Sequence, residues 1–278
     1  MNPHHRAWVL SSVLLVCMAA GAAAQAPVAP APVTLTPEQM EVFLLQAKVI
    51  ATKGTAKGVT KPIQATLSDG SFTHDAQIQT VDQSRDIFKA GKVTEVGFRD
   101  TYKFNVAGYR LARRLGLQNV PMSIERRIDG RNAAMTWWID DVRMDESDRT
   151  KRRPDGWSSE RVTKQIHVMR VWDALIQNRD RNQSNILWTS DWTLWMIDHT
   201  RAFRLGRELL KPAALERCDR ELLERLKGMT ADALKNAVGK SLTNSEIAAV
   251  MVRRDQIVKH FEDRIVQKGE NVVLFSGT

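Results

Sequence analysis

Residues 172–203 read WDALIQNRDRNQSNILWTSDWTLWMIDHTRAF. Ile166, Met169, Trp172 and Ile176 recur at helical spacing, so the polar run NRDRNQSN is the loop that ends a helix. A hairpin follows. Residues 186–188 lead out, 189–191 turn, and 192–197 return in strand-forming side chains to Asp198. Pairing the two arms brings Asp198 within two or three residues of Asn185, on the order of 10 Å or less at the strand rise. Asp180 precedes Asn185 by five positions. Taken singly, Asp180 and Asn185 are ordinary turn formers and Asp198 a strand-end cap. Together they supply a carboxylate that can orient or deprotonate a hydroxyl and oxygen ligands for a hard divalent ion, the requirements of phosphoryl transfer.

The run DALIQNRDRNQSNIL followed by WMIDHTRAF resembles the catalytic core of atypical kinases, in which a D-x-L-I-x-N-x-D-R-x-x-x-N loop precedes I-D-x-x-x-A-F. That group includes the phosphatidylinositol kinases, the HipA-type kinases and the secretory-pathway Golgi casein kinases. The resemblance implies that Asp180 is the catalytic aspartate and that Asn185 and Asp198 hold metal. Arg181 matches the arginine after the catalytic acid, and Asn178 the asparagine two residues before it. Asn182 departs from the histidine that many members carry. The implied architecture is α+β, a two-lobed protein-kinase-like fold with a small β-rich N-lobe and a mainly helical C-lobe. The implied cofactors are ATP with Mg²⁺ or Mn²⁺.

Upstream, residues 1–24 have a short basic start, an apolar stretch and small residues Ala22 and Ala24. This reads as a secretory signal peptide cleaved after Ala24, too short to span a bilayer, and implies a periplasmic or secreted protein with no stable membrane span after cleavage. Loss of Arg6 takes the formal charge of +9 to +8. Cys218 is then the only cysteine, so no intramolecular disulfide is possible, and the fold stands on its core. The basic pairs read as solvated faces rather than a nucleic-acid surface. No pair of the four mature histidines has zinc-ligand spacing.

Residues 25–35 are an Ala/Pro-rich linker. An N-lobe is expected over 36–140, an exposed connector over 141–156 and a helical C-lobe over 157–278. Thr36, Pro37 and Gln39 form the start of a helix with a capping box. Residues 53–82 read as a hairpin around Ser68-Asp69-Gly70. Gly54 and Gly58 stand just before its first strand, where a glycine loop can approach phosphates. Asp129-Gly130 turns a second hairpin that ends near Trp137, Trp138 and Asp140, apolar ground on which an adenine ring can lie. The C-terminal segments 215–227, 231–238 and 244–267 have helical apolar spacing, and Thr243 with Glu246 makes a capping box.

The resemblance calls for a phosphate-pairing lysine where Gln79 stands and for its glutamate partner near Asn105, in a helix expected over 100–117. Both charges are absent together. Either Gln79 and Asn105 form a neutral hydrogen-bonded substitute while Lys57, Lys61 or Lys103 reaches the phosphates, or the nucleotide site has weakened. The leading function is therefore phosphoryl transfer to a protein, small-molecule or envelope-associated hydroxyl acceptor. The alternatives are a pseudokinase-type binding or scaffold protein and a kinase-fold nucleotidyl transferase.

Overall fold

The Thr36 hydroxyl accepts the Gln39 amide while the Gln39 side chain accepts the Thr36 amide, and this capping box opens α1 (Pro37–Gln46). The computed structural model describes residues 35–54, 63–90 and 93–277. The expected leader, nearly all of the linker, and Lys57, Gly58 and Lys61 lie outside the described residues. The chain continues through β1 (Lys48–Gly54), β2 (Ile63–Ser68), β3 (Thr73–Gln79), β4 (Asp82–Ala90), β5 (Val93–Thr101), α2 (Lys103–Arg114), β6 (Ser123–Ile128) and β7 (Arg131–Trp137). The remaining elements are β8 (Val142–Asp145), α3 (Glu146–Arg152), α4 (Glu160–Ile176), β9 (Ile186–Thr189), β10 (Leu194–Met196), β11 (Cys218–Asp219), α5 (Arg220–Lys227), α6 (Ala231–Val238), α7 (Asn244–Lys268), α8 (Glu270–Val273) and β12 (Leu274–Phe275). The fold is thus α+β, with a β-rich N-terminal sheet and a mainly helical C-terminal part.

Strand order in the N-terminal sheet is β1-β2-β3-β7-β6, antiparallel throughout. Alternation along its strands sorts the two faces. Ala65, Leu67, Ala76, Ile78, Ile124 and Met135 pack with Phe43 and Leu44 of α1, and burial of each large apolar side chain contributes about 1.5–3 kcal/mol. Gln79 therefore faces the other way. On that side Ala134, its partner in register, packs with Tyr102 and Val106 at the start of α2. The turn between β6 and β7 puts Asp129 and Gly130 at φ 48° and 79°, the left-handed pair that a two-residue hairpin loop requires.

Gly54 stands ahead of β2, the first strand of the expected hairpin, and also ends β1, a strand that is not among the expected ones and that pairs with β2, Gly54 opposite Ile63. The helix expected over 100–117 is α2, which starts at Lys103; Asp100 and Thr101 close β5, part of a two-stranded hairpin with β4 that is not among the expected strands. Residues 141–156 are not merely an exposed connector. β8 pairs with β9 to complete the sheet β10-β9-β8, and α3 buries Arg149, whose guanidinium meets Glu146 and the Trp157 carbonyl. Local charge pairing makes this segment look solvent-borne in sequence.

The C-terminal part is built on α4. Val168, Val171, Trp172, Leu175 and Ile176 join residues of α5, α6 and α7 in the largest apolar cluster. Helix α5 begins at Arg220, after a short parallel pairing of β11 with β12, which is later than the start expected at 215. Helix α7 opens on the Thr243–Glu246 capping box. Among the described residues, no helix is long and apolar enough to cross a membrane.

Candidate active site

Helix α4 ends where Gln177 adopts a left-handed conformation and the Asn178 amide bonds the Asp173 carbonyl at 2.9 Å. The Asn178 side chain then accepts the Asp180 amide at 3.1 Å, an Asx turn. Asn182 accepts the Ser184 amide and opens a single tight turn over Gln183–Asn185. Arg181 points back into this loop. Its Nε and Nη2 donate to the Asp173 carboxylate at 3.2 and 3.1 Å, and its Nη1 to the carbonyls of Asn185 and Ile197 at 3.0 and 2.7 Å. One guanidinium thereby ties the end of α4, the loop and the exit of β10 together. The Ile197 amide also bonds the Asn185 carbonyl at 3.1 Å, which sets Asp198 beside Asn185.

Asp198 has φ 54°, a left-handed conformation that costs a non-glycine residue of order 1–3 kcal/mol. Its Oδ1 accepts the Thr200 hydroxyl at 3.1 Å and meets Gln79 Nε2 at 3.5 Å. Neither its Oδ2 nor the Asn185 side chain has a hydrogen-bond partner among the described residues. Asp180 is half exposed, with its Oδ2 3.7 Å from Arg201 Nη1. Burial pushes the Asp180 carboxyl above its usual range; Arg201 opposes this, and the Asp198 and Asp100 carboxylates add to it. The carboxylates of Asp180 and Asp198 thus belong to one electrostatic cluster.

Gln79 and Asn105 meet directly. Asn105 Nδ2 donates to Gln79 Oε1 at 2.5 Å, and Asn105 Oδ1 accepts the His199 amide at 2.7 Å. This chain of amides links β3, α2 and the residue after Asp198. His199 is buried, and both the Trp172 indole and Arg181 Nη2 point at its Nε2 at 3.1 Å. That ring nitrogen is accordingly the acceptor, with the proton assigned to Nδ1. Burial, and then the Arg181 charge, hold His199 neutral, well below the ordinary histidine pKa. It packs the site rather than titrating in it. Gly108 of α2 makes room for the ring, because a Cβ there would lie 3.4 Å from it.

Lys103 is not at the cluster. Its ammonium pairs with Asp82 at 2.9 Å across the base of the β4–β5 hairpin. A cation that does stand there, in addition to Arg181, is Arg201, which sequence patterns alone do not single out. Its Nε donates to the buried Asp100 at 3.0 Å, a partner 101 positions away with no local signature. Gly54 is exposed, and among the described residues nothing lies within 4 Å of where its Cβ would be.

Trp137 is mainly packing: it stacks on His74 at a centroid distance of 3.9 Å and meets Phe43 edge-on. Trp137, Trp138, Ile139 and Asp140 nonetheless line a cavity of about 430 Å³, with Trp195 as its other large aromatic. None of Asp180, Asn185, Asp198 or Gln79 lines it.

Among the described residues, no three His, Cys, Asp or Glu side chains are grouped to hold a metal. The donor set at the loop, one carboxylate and one amide oxygen, fits a hard divalent cation that takes its other ligands from phosphate and water. It does not fit zinc or a soft metal.

No protein-family model matches the chain, and no curated protein sequence matches it. Solved structures do. A hydra Fam20 determined with sugar superposes with a TM-score of 0.67 at 14% identity, over 86% of this chain and 92% of that one. The Golgi casein kinase with Mn/ADP bound gives 0.63 at 13% identity, over 86% and 79%. The Helicobacter pylori proinflammatory kinase CtkA gives 0.52 at 10% identity, over 81% and 98%. With its β-rich N-terminal sheet, its helical C-terminal part and the loop and hairpin between α4 and Asp198, the chain has the atypical kinase-like fold.

Proposed function

We propose that the protein is an exported, metal- and ATP-dependent phosphotransferase acting on a hydroxyl of a protein, small-molecule or envelope-associated acceptor. What supports this reading is that the Ile197 amide bonds the Asn185 carbonyl, next to Asp198, and that the Asp198 carboxylate acts on Asp180, so the three residues share one neighbourhood. Asp180, partly exposed and with its carboxyl raised above the usual range, orients the acceptor hydroxyl and receives its proton. Asn185 and Asp198 hold the divalent cation, which when bound screens the charge of the phosphates. Gln79, braced by Asn105, presents a neutral amide toward Asp198 where a lysine would supply charge. Gly54, at the end of β1, and the sequence positions Lys57, Gly58 and Lys61 after it are the candidates for contact with the phosphates.

A second reading, a pseudokinase that binds a partner without turnover, is favoured by the neutral Gln79–Asn105 pair, since amides cannot replace a point charge at the phosphates. Thermal unfolding of the mature protein distinguishes them. ATP with Mn²⁺ at a hundred times its dissociation constant adds about 2.7 kcal/mol of stability. Asp198→Asn tolerates the left-handed backbone yet removes the ligating charge, so the protein should stay folded and lose that shift. Asp180→Asn should keep the shift and lose transfer of labelled phosphate. A wild-type protein that no nucleotide and metal stabilises has no such site. Binding without transfer supports the pseudokinase, and transfer of labelled AMP instead of phosphate the nucleotidyl transferase.

A further inference from the structure

We infer that Arg201 is the group that meets the terminal phosphate of the nucleotide, supplying from the C-terminal side the positive charge that Gln79 lacks. The inference rests on the phosphotransferase reading above.

Two guanidiniums face Asp180, those of Arg201 and Arg181. Arg181 has nothing left to give. Its five N–H groups are spent on Asp173, the carbonyls of Asn185 and Ile197, and His199. Arg201 differs in every respect that matters for a ligand. A third of its side chain is exposed, among the described residues only its Nε is hydrogen-bonded, and its Nη1 stands 3.7 Å from Asp180. That separation is an ion pair and too long for a hydrogen bond, so a phosphate oxygen can replace the carboxylate without breaking an established bond.

The seat of Arg201 is fixed while its end is free. The Thr101 amide bonds the Thr200 carbonyl at 2.9 Å, joining the end of β5 to the residue before Arg201. Asp100 holds the Nε, and its own Oδ1 is buried without a partner, which leaves an acceptor for a guanidinium that turns. The Phe98 ring lies under the group at 5.4 Å. Arg204 donates to the Arg201 carbonyl at 3.0 Å and pairs with Glu95. The β4–β5 hairpin therefore acts as the bracket for this arginine. A planar fork held at one edge and open at the other suits bidentate contact with a phosphate.

In the resting protein Arg201 and Asp180 occupy each other. With nucleotide bound, the guanidinium goes to the terminal phosphate and the carboxylate is released to the acceptor hydroxyl. The acceptor oxygen bonds the terminal phosphorus as its proton passes to Asp180, and the bond from that phosphorus to the bridging oxygen breaks, its electron pair leaving on the nucleoside diphosphate.

The experiment compares MnATP with MnADP, titrated by calorimetry into wild type, Arg201→Gln and Arg201→Lys. Wild type should prefer MnATP. Arg201→Gln should lose about tenfold in MnATP affinity, the worth of one charge-assisted contact, with MnADP affinity unchanged. Arg201→Lys should recover part of the preference, as a point charge without the fork. A Gln variant that weakens both nucleotides alike, or neither, overturns the inference and leaves the phosphotransferase reading standing. Should the Gln variant not fold, an Arg201→Lys protein that loses the same factor in affinity for both nucleotides overturns it. A wild type that binds neither nucleotide overturns both.

Discussion

Asn105 donates its side-chain amide to the Gln79 carbonyl oxygen at 2.5 Å. The pair bridges β3 and α2, elements that a Lys–Glu ion pair joins in the families this chain resembles. Because Asn105 Oδ1 also accepts the His199 amide, the bridge extends to the residue beside Asp198. Two buried, uncharged amides make this bridge, Asn105 through both its Nδ2 and its Oδ1.

Asn105→Leu removes the side-chain oxygen that accepts the His199 amide and the amide that donates to Gln79 Oε1, so unfolding in urea should show a loss of about 2 kcal/mol. Gln79→Met with Asn105→Leu removes both sides of one contact and should cost less than the sum of the single changes, with a coupling of about 1 kcal/mol. Strict additivity of the two would show that the amides do not act as a unit.

Arg181 is the internal fastener of the loop between α4 and β9, and its side chain and that of Asp173 are both largely buried. Arg181→Met strands the Asp173 carboxylate and the Ile197 carbonyl. A loss of about 3–5 kcal/mol is expected, together with loss of nucleotide binding, because the Asn185–Ile197 junction is no longer held. Lysine lacks the planar fork, so Arg181→Lys should recover only a small part. A thermal midpoint within a degree or two of wild type for Arg181→Met would contradict this role.

Stability without nucleotide should fall as the solution is acidified below the ordinary histidine pKa. Burial, and after it the charge of Arg170, lowers the pKa of His167; burial and then Arg181 lower that of His199. Below about pH 6.5 the unfolded chain takes up protons that these two folded imidazoles refuse, so the unfolded state binds more protons and stability rises with pH across that window. It is fully present above pH 6.5. The limiting slope is about 1.4 kcal/mol per pH unit for each histidine. Urea titrations from pH 5 to 8 test this, and His167→Phe should remove one histidine's share. A flat profile would mean that neither imidazole is protected.

Much of this fold is legible along the chain because its signals are local. The capping boxes at Thr36 and Thr243, the Asp69-Gly70 and Asp129-Gly130 turns and the amphipathic spacing of α6 and α7 each depend on residues a few positions apart. So does the loop from Asn178 to Asn185, whose turns are closed by its own side chains. β1 and the β4–β5 hairpin are harder to see because their exposed, mixed-charge runs bury little apolar surface of their own.

The order of Asp180, Asn185 and Asp198, and the absence of charge at Gln79 and Asn105, are properties of the sequence by itself. What only the tertiary structure decided is who faces whom. Arg201 reaches Asp100 across 101 positions and Gln79 reaches Asp198 across 119. Such pairs leave no periodicity or spacing to read. They exist because packing of α2 and the β4–β5 hairpin against the segment after Asp198 fixes the backbone there, and side-chain hydrogen bonds then follow from the few donors left within reach.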